Sequence, residues 1–410
     1  MSRFPKITET FILYEILGLE RLGLSTEIYP LLREHQEIAH PEAEEMVERA
    51  HFHPFMSWRV LRANWHYLRR KPATYLSTVR EVIAGTLGSR KFLIGAVGVL
   101  PKAALFAYEM ERDGVTHIHA HFATHPTVAA LIIHRLTGIP FSFTAHGSDL
   151  HVDRRMLDRK VEAAALAVTC SQFNKNVMVD ECGEEARDKI HVIYYGVDLD
   201  VFLSNGHEHR PGPLRIICVA SYEEVKGHKY LVEACELLNE RGVDFRCDLV
   251  GGGPLRRDVE KQIAQAGLQE RFTLHGMLDR SAVADLLREA DVKVLASFPT
   301  KGGKREGMPN VLIEAMAAGL PVISTQLTGI PELVETGRTG ILVPPASGPA
   351  LADALEELSR DPDLRRRMGA AGQERARRMF DRQLNASSLA ALFEAASSST
   401  PASFTAGSSR

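Results

Sequence analysis

Apolar residues recur at helical spacing from Thr8 to Gly23 (Phe11, Ile12, Ile16, Leu19, Leu22), and Gly23 closes the run. Ser25–Tyr29 reads as a short strand, and residues 40–112 read as helix with breaks near Pro54, Pro72 and Gly88. From there the period alternates. Thr116–His121, Pro140–Thr144, Ala165–Cys170 and His191–Tyr194 read as strands, with helices over Pro126–Thr137 and Gln172–Glu181. Ser204–Pro213 is polar, with Gly and Pro, and reads as a linker. The alternation then restarts. Strands fall at Leu214–Ala220, Phe245–Val250, Phe272–Leu274, Val292–Ala296 and Pro321–Ser324, with helices over Lys229–Arg241 and Pro254–Gly267. Strands alternating with helices pair in parallel and carry helices on both faces. Two such runs predict an α/β protein of two Rossmann-like parallel-sheet domains, facing each other across a cleft.

The first domain is expected over 1–203, the linker over 204–213 and the second domain over 214–380. A helix at Gln383–Ala395, within a segment 381–396, has an apolar face (Leu384, Leu389, Leu392, Phe393) that needs a partner surface. The tail 397–410 holds six serines in fourteen residues and is expected to be disordered. A length of 410 residues suits two domains better than one.

A hydrophobic share of 45 % and a charged share of 25 % belong to a soluble globular chain and exclude a disordered, collagenous or polytopic membrane protein. The longest apolar run, Phe92–Leu100, is nine residues, short of the roughly 20 that span a bilayer. The opening Met1-Ser2-Arg3-Phe4-Pro5 has no leader pattern. Five cysteines without a C-x-x-C pair read as reduced core thiols, and the chain is expected to be cytoplasmic.

Charge adds one asymmetry. Residues 51–102 carry nine Lys or Arg against Glu81 alone, although the whole chain is −3. Trp58 and Trp65 lie in the same stretch, seven apart and so on one helix face. Basic residues among interfacial aromatics fit a peripheral contact with an anionic membrane. The alternative is a solvated face with its tryptophans packed inward. A nucleic-acid partner is not expected, because the basic patch is local.

The chemistry concentrates in Glu306-Gly-Met-Pro-Asn-Val-Leu-Ile-Glu314. A glycine loop opens a helix there, with Pro309 near the first helical position, where a missing N–H is harmless. Free amides around Gly307, Met308 and Asn310 suit an anion such as a diphosphate. Glu306 and Glu314, acceptors only, suit the paired hydroxyls of sugars. An ordinary amphipathic helix with incidental acids is the competing reading. Gly251-Gly252-Gly253-Pro254 follows a buried strand and would let backbone approach a ligand. Lys226-Gly227 ends the loop after the second domain's first strand, where an ammonium can meet a phosphate. In the first domain, Phe141-Ser-Phe-Thr-Ala-His146-Gly147-Ser-Asp149 puts His146 just past a strand's carboxyl end, where ligands gather in open α/β sheets.

Together, Glu-x7-Glu in its E-G-x-P and E-A-M-A-x-G-x-P-V setting, the Lys-Gly loop, the G-G-G-P turn, T-A-H-G-S-D and Gly-Val-Asp near residue 198 resemble retaining glycosyltransferase family four, of GT-B fold. Phe4-Pro-Lys-Ile-Thr-Glu-Thr-Phe11 is similar to the branch that builds bacterial exopolysaccharides such as colanic acid. The resemblance implies a sugar moved from a nucleotide-sugar to a glycan or lipid-linked acceptor, with retention and without a metal. Glu314 then takes the ribose hydroxyls. Glu306 takes the transferred sugar, with Gly307, Met308, Pro309 and Asn310 lining the site. Lys226 neutralises the diphosphate, His146 reaches the sugar, and Gly276 to Leu278, Met277 included, meet the base beside Gly251 and Gly253. The helix near 381–396 is expected to cross back to the first domain.

Two positions depart from the family. Ser221 stands where relatives have an Arg beside the Lys226 equivalent, and Lys301, Lys304 or Arg305 are candidate replacements. Only three residues precede Phe4, whereas a doubly wound domain has a central strand there, so an upstream extension of the gene is expected. His117, His119 and His121 share a strand face, but no carboxylate lies near them in sequence and a metal is not expected. Asp198-Leu-Asp200 reads as a turn and helix cap. Rival functions are a transferase with a soluble acceptor and a catalytically silent nucleotide-sugar-binding partner.

Overall fold

The computed structural model describes residues 1–5, 10–34, 41–203 and 211–398. The chain divides into two compact units. One comprises Met1–Cys170, Asn174–Ile193 and Ala386–Arg410; the other comprises Ser171–Phe173 and Tyr194–Asn385. Most of the expected linker (204–210) and of the serine-rich tail (399–410) lies outside the described residues.

In the first unit, β1 (Arg3–Phe4) leads to α1 (Thr10–Arg21) and pairs in parallel with β2 (Leu32–Arg33). The strand expected at Ser25–Tyr29 does not form. That segment is irregular, and the strand comes later, at β2, where Arg3 and Phe4 supply a hydrogen-bonding edge. The region 40–112 forms four helices that break where the sequence says: α2 (Pro41–Arg49), α3 (Trp58–Arg70), α4 (Pro72–Thr86) and α5 (Arg90–Arg112). Ser57 and Ser89 cap α3 and α5 by accepting from the amides of Val60 and Phe92, and Pro72 occupies the first turn of α4.

A four-stranded parallel sheet follows. It comprises β3 (Ile118–His121), β4 (Phe141–Ala145), β5 (Leu166–Thr169) and β6 (Ile190–Val192), in that spatial order. Helices α6 (His125–Thr137), α7 (Ser148–His151), α8 (Leu157–Ala163) and α9 (Gln172–Cys182) connect these strands. By length and composition α5 could cross a bilayer, but 61 % of its apolar window is buried. Phe92, Ala96, Val99, Ala103 and Phe106 lie in the same core cluster as Val128 and Leu131 of α6. It also carries buried Lys102, which donates to the Leu31 carbonyl at 2.6 Å. It is a core helix.

The outer face of α3 settles the choice between exposed and inward tryptophans. Trp58 is 80 % and Trp65 62 % exposed, with Leu61 between them, and Met56, Leu76, Leu87 and Ile94 are exposed nearby in sequence. Arg62, Arg69, Arg70, Arg80, Arg90 and Lys91 are exposed along the same stretch. The inward-packed alternative is therefore excluded.

The second unit holds α10 (Leu199–Phe202), then β7 (Leu214–Val219), α11 (His228–Glu240), β8 (Phe245–Val250), α12 (Arg256–Gln265), β9 (Phe272–Gly276), α13 (Arg280–Glu289) and β10 (Val292–Leu295). It continues with α14 (Asn310–Ala317), β11 (Val322–Thr325), α15 (Ile330–Leu333), β12 (Gly340–Val343), α16 (Gly348–Arg360) and α17 (Pro362–Met379). The six strands are parallel in the order β12-β11-β10-β7-β8-β9, a doubly wound sheet. The edge strand β12 was not anticipated. Last comes α18 (Arg382–Ser398), which from Ala386 onward belongs to the first unit, where its Leu389, Ala390 and Phe393 pack with Leu19, Leu166 and Val168. All five cysteines are free thiols.

Candidate active site

The strand order of the second unit reverses between β7 and β10, and ligands of doubly wound sheets bind beyond the carboxyl ends of such strands. Both acidic and basic candidates are on the loops leaving those two strands. Gly227 has φ +69°, and a Cβ there would sit 1.9 Å from the Ala296 carbonyl. The Lys-Gly loop is therefore pressed onto the end of β10. Lys226 and Glu306 meet across this contact as an ion pair, both side chains mostly shielded from water. The Thr328 hydroxyl donates to the carbonyls of Glu306 and Gly307, which fixes the loop before the helix.

Pro309 is the N-cap of α14 rather than its first helical residue, so the first turn opens at Asn310. The leading amides of a helix lack intrahelical acceptors. Met308 is buried beneath the loop, and Asn310 Oδ1 is a buried atom with no hydrogen bond. Glu314 lies one turn into the helix. Burial raises its pKa, while the charges of Arg280 and Lys293 pull it down again.

Lys293 is a functional candidate that the sequence reading missed. It sits inside β10, paired in register with Ile217 of β7, and is fully buried. Its ammonium donates to the Val219 carbonyl at 3.3 Å, and burial lowers its pKa to about 8. The alternation Val292-Lys293-Val294 was the available signal: a cation at an interior position of a central strand.

The expected replacements for an arginine at Ser221 fare differently. Lys304 is paired with Glu223, while Lys301 and Arg305 are exposed. The Ser221 carbonyl accepts from the Glu223 amide at 2.7 Å. At Gly251 a Cβ would lie 2.1 Å from the Ala220 carbonyl, so packing against protein backbone by itself requires glycine there. Gly253 lies against the Tyr222 backbone in the same way. The Gly251 amide donates to the Gly276 carbonyl at 2.8 Å, which joins the two loops, and Met277 projects beside Gly252, 74 % exposed. Asp198 is at the N-cap of α10 but makes no cap bond; its carboxylate goes instead to Arg382 at 2.9 Å and Arg280 at 3.6 Å.

In the first unit His146 follows β4 and is buried. The amides of His146, Gly147 and Ala123 all donate to the Asp149 carboxylate, at 3.0, 2.7 and 2.7 Å, so Asp149 ties the β3 and β4 loops together. The imidazole lies between the rings of Phe11 and Phe122, and burial lowers its pKa to about 4. Its Nε2 is 3.3 Å from Nδ1 of His121. The histidines also have a carboxylate neighbour after all: Glu15 of α1 brings Oε1 to 3.3 Å from His121 Nε2 and 4.0 Å from His119 Nε2. The fold, not sequence proximity, brings it there.

Known proteins resemble this chain in both sequence and fold. The profile described as Glycosyltransferase Family 4 matches residues 68–201, and that described as Glycosyl transferases group 1 matches residues 202–375. The chain belongs to these glycosyltransferases. It is 38 % identical over 208 residues to WcaL of Salmonella typhimurium, assigned by name to colanic acid biosynthesis, covering 50 % of this chain and 51 % of that one. It is 37 % identical over 172 residues to the amylovoran biosynthesis glycosyltransferase AmsK of Erwinia amylovora, covering 42 % of each. The matches thus span about half the length of these relatives. A solved glycosyltransferase from Rickettsia africae superposes with a TM-score of 0.70 at 17 % identity, over 97 % of this chain and 98 % of the other. HepE of Anabaena, solved with UDP, gives a TM-score of 0.63 at 19 % identity, over 72 % and 82 %. These likenesses establish the GT-B fold of this glycosyltransferase.

Proposed function

We propose that this glycosyltransferase moves a sugar from a nucleotide-sugar to a glycan or lipid-linked acceptor in bacterial exopolysaccharide synthesis, with retention at the anomeric carbon. The observation that carries the reading is the Lys226–Glu306 pair, set at the sheet's switch point against the opening turn of the helix bearing Glu314. A diphosphate competes with Glu306 for the Lys226 ammonium and gains the amides of α14. Glu306, released, accepts from the hydroxyls of the transferred sugar, and Glu314 accepts from those of the ribose. The bond from the anomeric carbon to the diphosphate oxygen breaks as an acceptor hydroxyl oxygen attacks from the same face. The acceptor's proton passes to the departing phosphate oxygen. With Lys226 and the amides meeting the leaving group's charge, the reading calls on no metal. His146, neutral at pH 7, contacts the sugar as a hydrogen-bonding partner. The names of WcaL and AmsK support the polymer class, and the UDP in HepE supports a nucleotide donor.

The exposed Trp58, Leu61 and Trp65, rimmed by arginines, support an acceptor at the cytoplasmic face of an anionic membrane. A nucleotide-sugar panel, read first by thermal shift and then by release of nucleoside diphosphate, tests the reading. A single stabilising donor whose turnover is lost in Glu306→Gln is the expected result. The absence of any stabilising nucleotide or nucleotide-sugar would sink it.

A further inference from the structure

The Glu15, His121 and His146 side chains come from three separate elements and converge in the core of the first unit. Glu15 Oε1 is 3.3 Å from His121 Nε2, and His121 Nδ1 is 3.3 Å from His146 Nε2. The rings of His121 and His146 are stacked, 5.5 Å apart and 20° from parallel. Glu15 Oε1 is buried and lacks a well-aligned hydrogen bond. The terminal torsion of a glutamate is soft, so the carboxyl group is able to turn toward Nε2 of His121.

Two kinds of site could use this cluster. A divalent metal could take Glu15, His119 and His121, whose ligand atoms lie within 4.8 Å of one another. The ring of His119 argues against it. Its Nδ1 is 2.7 Å from the Ser142 hydroxyl and its Nε2 2.9 Å from the Thr144 hydroxyl. Both nitrogens are thus engaged, and a metal would have to displace a hydroxyl that already fits. The chain through His121 needs no such displacement.

We propose that Glu15 and His121 are positioning residues that fix the tautomer of the His146 imidazole through one continuous hydrogen-bonded chain. The inference deepens the sugar-transfer reading, in which His146 faces the substrate, and rests on it for its catalytic meaning. A neutral imidazole has one donor and one acceptor nitrogen, so each link dictates the next. With Glu15 protonated, its O–H donates to His121 Nε2. His121 then donates from Nδ1 to His146 Nε2, and His146 carries its proton on Nδ1. With Glu15 ionised, every link reverses, and His146 carries its proton on Nε2. No proton is gained or lost by the rings in either arrangement.

The surroundings favour the first arrangement at neutral pH. Burial raises the Glu15 carboxyl to about 8 and lowers all three imidazoles, His119, His121 and His146. Asp149 faces His146, and the amino group of Met1 faces His119 and His121.

The test uses the full chain with 15N-labelled histidine, treated with chelator, and reads ring nitrogens by long-range proton–nitrogen correlation. A His146→Asn sample assigns the resonances. The expected wild-type pattern at pH 7 is a single tautomer, with Nδ1 protonated and Nε2 accepting. Raising the pH through 8 inverts it in the wild type and leaves it unchanged in Glu15→Gln. His121→Leu and Glu15→Ala lose the single-tautomer pattern; His121→Asn, whose amide nitrogen stands where Nδ1 stood, restores it. If Glu15→Ala does not fold, the pH series on Glu15→Gln decides alone. An identical His146 pattern in the wild type, Glu15→Gln and His121→Leu across the pH range overturns the proposal. So does stoichiometric Zn2+ that shifts the ring nitrogens of His119 and His121, which would make the cluster a metal site. No donor is present, so failure here leaves the sugar-transfer reading intact, and failure of the donor panel leaves the tautomer result intact.

Discussion

Lys226 and Glu306 neutralise each other across 80 positions of sequence, at the spot where the sheet of the second unit changes direction. In the absence of donor the pair keeps two mostly shielded charges satisfied. A shielded ion pair contributes little net stability, whereas removing one partner strands the other. The arrangement therefore reads as a site held ready for an anion.

Glu306→Gln should free Lys226 for phosphate. UDP, used as a probe in calorimetry, is expected to bind this variant as tightly as the wild type or more tightly, while sugar transfer is lost. Lys226→Met should weaken UDP by tenfold or more, which corresponds to about 1.4 kcal/mol. Unchanged UDP affinity in Lys226→Met would show that the pair does not stand in the diphosphate site.

Acid should destabilise the fold before carboxylates begin to titrate. Burial lowers His117, His146 and His228 to about 4, and lowers His119 and His121 well below the usual value. The unfolded chain takes up protons near pH 6.5, where the folded rings refuse them, so stability rises with pH between about 4 and 6.5. Each ring contributes a slope of about 1.4 kcal/mol per pH unit in that window. Glu15, raised to about 8, opposes this with one proton of the opposite sign above pH 4.5. Denaturant unfolding at pH 7, 6 and 5 should show a fall steeper than one histidine can produce.

The face of α3 gives a third test. The double variant Trp58→Ala, Trp65→Ala, combined with Arg62→Glu and Arg69→Glu, changes only exposed side chains and should leave melting nearly unchanged. Sedimentation with vesicles containing anionic lipid should fall at least tenfold, with donor hydrolysis retained. Binding of the wild type should itself weaken as salt rises. Unchanged sedimentation would defeat the membrane reading.

The second unit was legible because its order came from local signals. Strands such as Leu214–Val219 and Phe245–Val250 are short apolar-rich segments, interrupted only by Arg215 in one and by Arg246 and Asp248 in the other. Turn residues bound them, and such segments mark element type without reference to the rest of the fold. The strand β2 was misplaced because its partner, Arg3–Phe4, lies some thirty residues away in sequence, and two-residue strands carry no period. The Glu306–Glu314 spacing pointed to α14, but the pairing of Lys226 with Glu306 needed the packing of Gly227 on Ala296. Glu15 was invisible as a site residue. Nothing in the pattern of α1 reveals that one of its turns meets His121, because side-chain convergence between elements is a property of packing.

Lys293 offers the sharpest trade between stability and function. Its ammonium is buried in a central strand, and burial lowers its pKa from 10.5 to about 8. Below pH 8 the fold retains a charge that the unfolded chain holds more easily, at a cost of ~3 kcal/mol from the size of that shift. Between pH 8 and 10.5 the folded lysine is neutral while the unfolded one is still charged, so that cost is relieved as pH rises. Lys293→Met should accordingly raise the melting temperature at pH 7, with the gain fading toward pH 10. The same substitution removes a positive charge that holds down the Glu314 pKa, leaving burial opposed by Arg280 alone. Glu314 should then protonate at higher pH, and UDP affinity should fall off at a more alkaline point on its acid side than in the wild type. A more stable variant with an unshifted acid limb would mean that Lys293 has no hold on Glu314, and that its burial serves the sheet alone.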